Sequence, residues 1–182
     1  MNPADIALAH LFVAFSREKL INQYRPRLRK AVAPLSHEQV WWRPNPASNS
    51  IGNLVLHLEG NVRQWLVASF NQQEDARNRP AEFKERRRLP VLEILDKLDA
   101  TLAEADRVLE RLTPEELDAT YQIQGYTVTG LGAVYQVVEH FALHYGQVLY
   151  AVKALTGQDL GFYRELNADG RLHAKNSPAQ TP

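Results

Sequence analysis

His140 and His144 stand four residues apart in the stretch EHFALHYGQ, Glu139 to Gln147. On a helix each residue turns by about 100°, so these two imidazoles share one face with Cβ atoms roughly 5–6 Å apart. Ring nitrogens so placed can aim at a single ion about 2.0–2.1 Å from each. His57 is a third imidazole at the margin of an apolar helical stripe, one turn from Asn61. If the two helices pack with these flanks facing, three imidazoles meet in the interior. The same spacing also suits half-buried histidines bonded to carbonyls, so spacing alone leaves both readings open. A zincin motif is excluded: it needs Glu directly after its first histidine, and position 141 is Phe. His37-Glu38 starts such a motif but meets Trp41 where the second histidine belongs. His10 and His173 have no partner at ligand spacing and read as surface residues. Asn61, Gln136, Tyr145 and Gln147 are candidates to hold a ligand or orient a substrate, and each reads equally as a hydrogen bonder at the core edge. Glu59 and Glu139 read as solvent-facing.

Helical periodicity must position these groups. Leu8, Leu11, Phe12, Phe15, Leu20, Tyr24, Leu28 and Val32 recur at three and four, with Pro26 expected to kink or interrupt the run. Ser36 with Gln39 makes a capping box for a short helix. Asn49 or Ser50 caps a second long helix through about Phe70. NQQEDARNRPAEFKERRR reads as a long polar loop. The third long helix spans about Pro90 to Leu112, and Thr113-Pro114-Glu115-Glu116 caps another short one. TYQIQGYTVTG alternates and predicts a small extended hairpin. A fourth long helix runs from about Gly130 to Leu155 and stops at Gly157. The fold expected is all-α: a four-helix bundle with a short capped helix and a small extended segment in its connections. One such domain covers residues 1–160, and an irregular tail covers 161–182, ending in KNSPAQTP.

Composition narrows the function. The 182 residues carry 21 basic and 21 acidic side chains, a balance that calls for neither nucleic acid nor an anionic membrane. The short basic run Lys84 to Arg88 lacks an aromatic platform and reads as a solvated loop. With no cysteine, the chain has no thiolate metal site and no cysteine nucleophile. No apolar run approaches the roughly 18 residues of a membrane span, and the N-terminus lacks a signal-peptide layout, so a cytoplasmic protein is expected.

NSIGNLVLHLEGNVRQW, followed much later by EHFALHYGQVLYAVKALTG, resembles the DinB/YfiT-like superfamily. WWRPNPASNSIGNL and RNRPAEF are similar to a branch of uncharacterised bacterial members, and Arg63 and Glu82 match that branch. The resemblance covers about Leu20 to Gly157. It implies a four-helix bundle, commonly a homodimer, with a divalent metal (zinc, nickel or iron) held by His57, His140 and His144. Characterised members of the superfamily include maleylpyruvate isomerases and bacillithiol or mycothiol S-transferases. The reading is a metal-dependent transferase or isomerase that works on a small molecule through a low-molecular-weight thiol. The alternatives are a metal-dependent hydrolase and a non-catalytic dimeric bundle.

Overall fold

A computed structural model describes residues 2–86, 88–164 and 166. His173 and the segment KNSPAQTP lie outside these residues. Among the described residues the chain is mostly helical, with one two-stranded sheet. Asn2 and Asp5 form a capping box that opens α1, Pro3–Arg17. A π-helical stretch, Glu18–Tyr24, carries the chain on into α2, Arg25–Val32. The expected interruption at Pro26 takes this form. The Arg25 N–H reaches five residues back to the Leu20 carbonyl, so the widened turn ends just before the proline. Pro26 then sits in the first turn of α2, where its missing N–H is tolerated. On α1, only Val13 and Ser16 are buried, while Leu8, Leu11 and Phe15 face outward.

Ser36 and Gln39 form the expected capping box for α3, His37–Trp41. Trp41 is buried, lies flat against Gly52 and donates its indole N–H to the Leu89 carbonyl, while Trp42 is half exposed. Ser50, not Asn49, caps α4, Ile51–Val62, which runs on through π-helical Arg63–Ala68. The segment expected to be a loop contains a further helix, α5, Arg79–Lys84, with the Asn78 side chain accepting from the Ala81 N–H and Pro80 in its first turn. At six residues it is too short to show an apolar period.

The remaining elements follow expectation. They are α6, Val91–Arg111, α7, Pro114–Asp118, and the strands β1, Thr120–Ile123, and β2, Tyr126–Thr129. The strands pair antiparallel across Gln124 and Gly125, both with positive φ, as in a type I′ turn. The last helix, α8, Gly130–Thr156, ends on left-handed Gly157. Helix α4 packs against α5, α6 and α8, and α8 also packs against α2. Leu28, Leu58, Leu66, Leu98, Leu102 and Phe141 are fully buried between them. Among the described residues, no helix is long and apolar enough to cross a membrane.

Glu59 is not solvent-facing, because α4 is covered on nearly every side. It is only 4% exposed and takes up bonds from Arg63 Nε at 2.8 Å, Thr101 Oγ1 at 2.8 Å and Lys97 Nζ at 2.9 Å, which join α4 to α6. Arg63 therefore pairs with Glu59. Replacing Glu59 with alanine would leave the buried Thr101 hydroxyl without its acceptor. Glu59→Ala should lower stability by about 1–3 kcal/mol, with the two cations partly rehydrating. Urea unfolding checks this through a lower midpoint at an unchanged slope.

Candidate metal centre

Helices α4 and α8 face each other with the expected flanks together. His57 comes from α4, while His140 and His144 come from successive turns of α8. The ring centroids form a near-equilateral triangle of 4.8, 5.0 and 4.5 Å. One ring nitrogen of each histidine lies within 4.8 Å of the other two, so all three can reach one ion with small ring rotations. The Nε2 atoms of His57 and His140 are already 3.0 Å apart. His57 is buried and the other two are half-buried, which leaves the group open on one side.

His57 is held from behind by α5. Its Nδ1 lies 2.8 Å from Glu82 Oε2. Arg77 grips that carboxylate twice, Nε to Oε1 at 2.7 Å and Nη2 to Oε2 at 3.0 Å, and donates to Gln64 Oε1 at 2.8 Å. Burial alone would raise the Glu82 carboxyl, but the hydrogen bonds from His57 and Arg77 outweigh it and hold the group below its ordinary value. Glu82 is thus a carboxylate that needs a donor. His57 supplies Nδ1–H, and its Nε2 lone pair is left pointing into the cluster. The Phe83 ring packs on His57 at 4.6 Å and restrains its tilt. Gly60 makes this approach possible, since a Cβ there would strike the Glu82 carboxylate. His144 Nδ1 lies 2.8 Å from Gln147 Oε1.

Burial, reinforced by the neighbouring histidines and by Arg77 and Arg79, pushes His140 down to about 3. Burial lowers His144 as well. Both imidazoles are therefore neutral at pH 7, the form that donates a lone pair to a metal. His140 Nδ1 is buried and has no hydrogen-bond partner. Two half-buried imidazoles kept neutral, with a third oriented by a carboxylate, form a donor set suited to a borderline divalent ion.

A cleft of about 660 Å³ opens from His57 and His140. Its walls include Asn61 and Gln136 from the two ligand-bearing helices, and Gln124 and Tyr126 from the hairpin. Asn61 Oδ1 and Gln136 Oε1 are buried without partners. Of the four substrate-binding or supporting candidates, Asn61 and Gln136 line the cleft and Gln147 buttresses a histidine. Tyr145 packs on the Tyr24 ring at 5.0 Å instead. Glu139 is exposed, as expected. Arg77 and Arg79 were not legible as site residues, since they stand in a segment with no periodic pattern. Asn78 before Arg79-Pro80 was the one local sign of a capped helix there.

The depressed histidines make stability depend on pH. Their folded-state affinity for protons is below that of the unfolded chain, so protonation favours unfolding. The metal-free protein should be fully stable above about pH 6.5, the ordinary histidine value, and lose stability as pH falls from there towards about 3. Replacing His140 with Leu should flatten that slope, as thermal melts across the range would show.

No curated protein matches the chain in sequence. Its fold is similar to that of a conserved protein from Enterococcus faecalis known from a crystal structure. The TM-score is 0.67 at 17% identity, over 80% of this chain and 97% of that one. Residues 7–164 match the family model described as "Protein of unknown function (DUF1572)". With most of its length matched, the chain belongs to the DUF1572 family.

Proposed function

We propose that the chain is a DinB/YfiT-like four-helix bundle in which His57, His140 and His144 hold one divalent ion, and that it is an enzyme transferring or isomerising small molecules through a low-molecular-weight thiol. The observation that supports this best is the histidine triangle opening into a cleft with unpartnered carboxamide oxygens. Three neutral ligands leave the ion its full charge, which when bound stabilises an anionic nucleophile at neutral pH. Among the described residues lining the cleft there is no carboxylate to act as a general base, and Glu82 is committed to His57 and Arg77. Hydrolysis by water more often requires such a base, whereas a thiolate attacks without one. The chain has no cysteine, so the thiol comes from solution. In the transfer reading its sulfur bonds to an electrophilic carbon, the leaving group departs with the bonding pair, and the thiol proton passes to solvent. Asn61 and Gln136 orient the substrate beside the histidines.

Protein purified without a histidine tag should carry about one zinc, nickel or iron per chain, read by elemental analysis, and His144→Ala should remove it. Glu82→Gln keeps the side-chain shape but loses the charge that orients His57, and should weaken zinc binding by about 10–100-fold. Glutathione, bacillithiol or mycothiol with a model electrophile should show His144-dependent acceleration. Ester or amide hydrolysis with the same dependence, and no thiol activity, would instead favour the hydrolase.

The protein is further proposed to pair with a second copy of itself. The outward-facing Leu8, Leu11 and Phe15 stripe of α1 supports an apolar interface, and isologous pairing is the commonest symmetry. Light scattering should give twice the 20.7 kDa of one chain. The monomer mass at micromolar concentration would exclude it.

A further inference from the structure

Two arginines from one short segment border the same cleft, and their situations differ. Arg77 is buried to 6% side-chain exposure, with its donors engaged by Glu82 and Gln64. Arg79 is exposed and has no carboxylate partner among the described residues. Its guanidinium lies 5.0 Å over the Phe83 ring, and that ring rests on His57, so the cation is held close to the histidine cluster. Opposite it stand the buried oxygens of Asn61, 3% exposed, and Gln136, with nothing to accept from. Trp65 and Tyr126 add an aromatic flank, ring centroids 6.3 Å apart.

We infer that the cleft binds a small organic carboxylate, with Arg79 pairing its anionic end and Asn61 and Gln136 accepting from a hydroxyl or amine on the same molecule. An unpaired guanidinium set over an aromatic ring is a planar, preoriented partner for a carboxylate. A buried carboxamide oxygen without a donor costs stability in the free protein, and a ligand hydroxyl or amine relieves that cost. The aromatic flank accommodates a ring between these two polar ends. A wall without carboxylates removes the repulsion that would otherwise exclude an anion. This substrate class deepens the enzyme proposed above and rests on that reading for its function, but the binding itself uses Arg79 and not the ion.

The test is calorimetric titration with 4-hydroxyphenylacetate and with its neutral twin of the same shape, 4-hydroxyphenylacetamide. Both are titrated into zinc-loaded and metal-free wild type and into Arg79→Gln. Arg79 is exposed, and an unchanged thermal midpoint will show that the variant is folded. The acid should bind about tenfold more tightly than the amide in metal-free wild type, and Arg79→Gln should abolish that preference. Equal affinities in wild type, no binding of either probe, or a preference that survives in Arg79→Gln would overturn the inference. The metal reading fails separately. A chain that takes up no zinc, yet shows the Arg79-dependent preference, loses the metalloenzyme and keeps the carboxylate site. One that binds zinc without the preference does the opposite.

Discussion

The contact between Glu82 and His57 Nδ1 is the constraint on which the rest of the site depends. A histidine with two equivalent nitrogens has no fixed sense of direction, and this carboxylate gives it one. Other contacts hold the carboxylate in place. Asn53 Nδ2 donates to the Glu82 carbonyl at 2.7 Å, and Arg43 donates to Asn53 Oδ1 and to the Phe83 carbonyl, so the backbone of α5 is tied to the start of α4. These bonds cross between a long helix and a six-residue one that could not stand alone. A buried pair such as Arg77–Glu82 is poor evidence for stability, because desolvation offsets much of its attraction. Its value here lies in fixing one ring to within a hydrogen bond.

The same grouping sets the local potential. Two guanidiniums and three imidazoles crowd one region with a single carboxylate among them. His140 and His144 answer by staying neutral, because burial and the neighbouring charges lower both. The arginines bring cationic character to the same region. Field and ligation are thus separated: the imidazoles offer lone pairs, and the guanidiniums offer charge.

How much of this was legible in the sequence follows from which signals are local. The four long helical stretches were readable from their apolar spacing, and the short helices α3 and α7, though not α5, from Ser36, Thr113 and their capping partners, because both signals are complete within a dozen residues. His140 and His144 were readable as a pair for the same reason. His57 could be set beside them only by assuming which faces meet, and the resemblance supplied that assumption. The Arg77–Glu82 clamp was not readable, since it depends on where a polar connection folds back. Glu59 was misplaced because its neighbours suggested an edge. Helix α6, through Thr101 and Lys97, covers that edge, and nothing near position 59 announces it.

The π-helical stretch Arg63–Ala68 has its own bearing on the cleft. A widened turn holds one more residue than the α-helix would between the same two ends, and the Ser69 hydroxyl takes up the Gln64 carbonyl five residues back, at 2.8 Å. His57, Asn61 and Trp65 are spaced by four and all border the cleft. In a regular helix such a row creeps steadily around the axis, and underwinding slows that drift. The wide turn therefore amounts to an insertion absorbed without a bulging loop. Deleting a single residue between 66 and 68 would let the turn close to a regular α-helix between the same two ends, and would change the direction in which Trp65 leaves it. The Trp65 side of the cleft would turn away with every lining side chain still present, so chain length within this turn is part of the site.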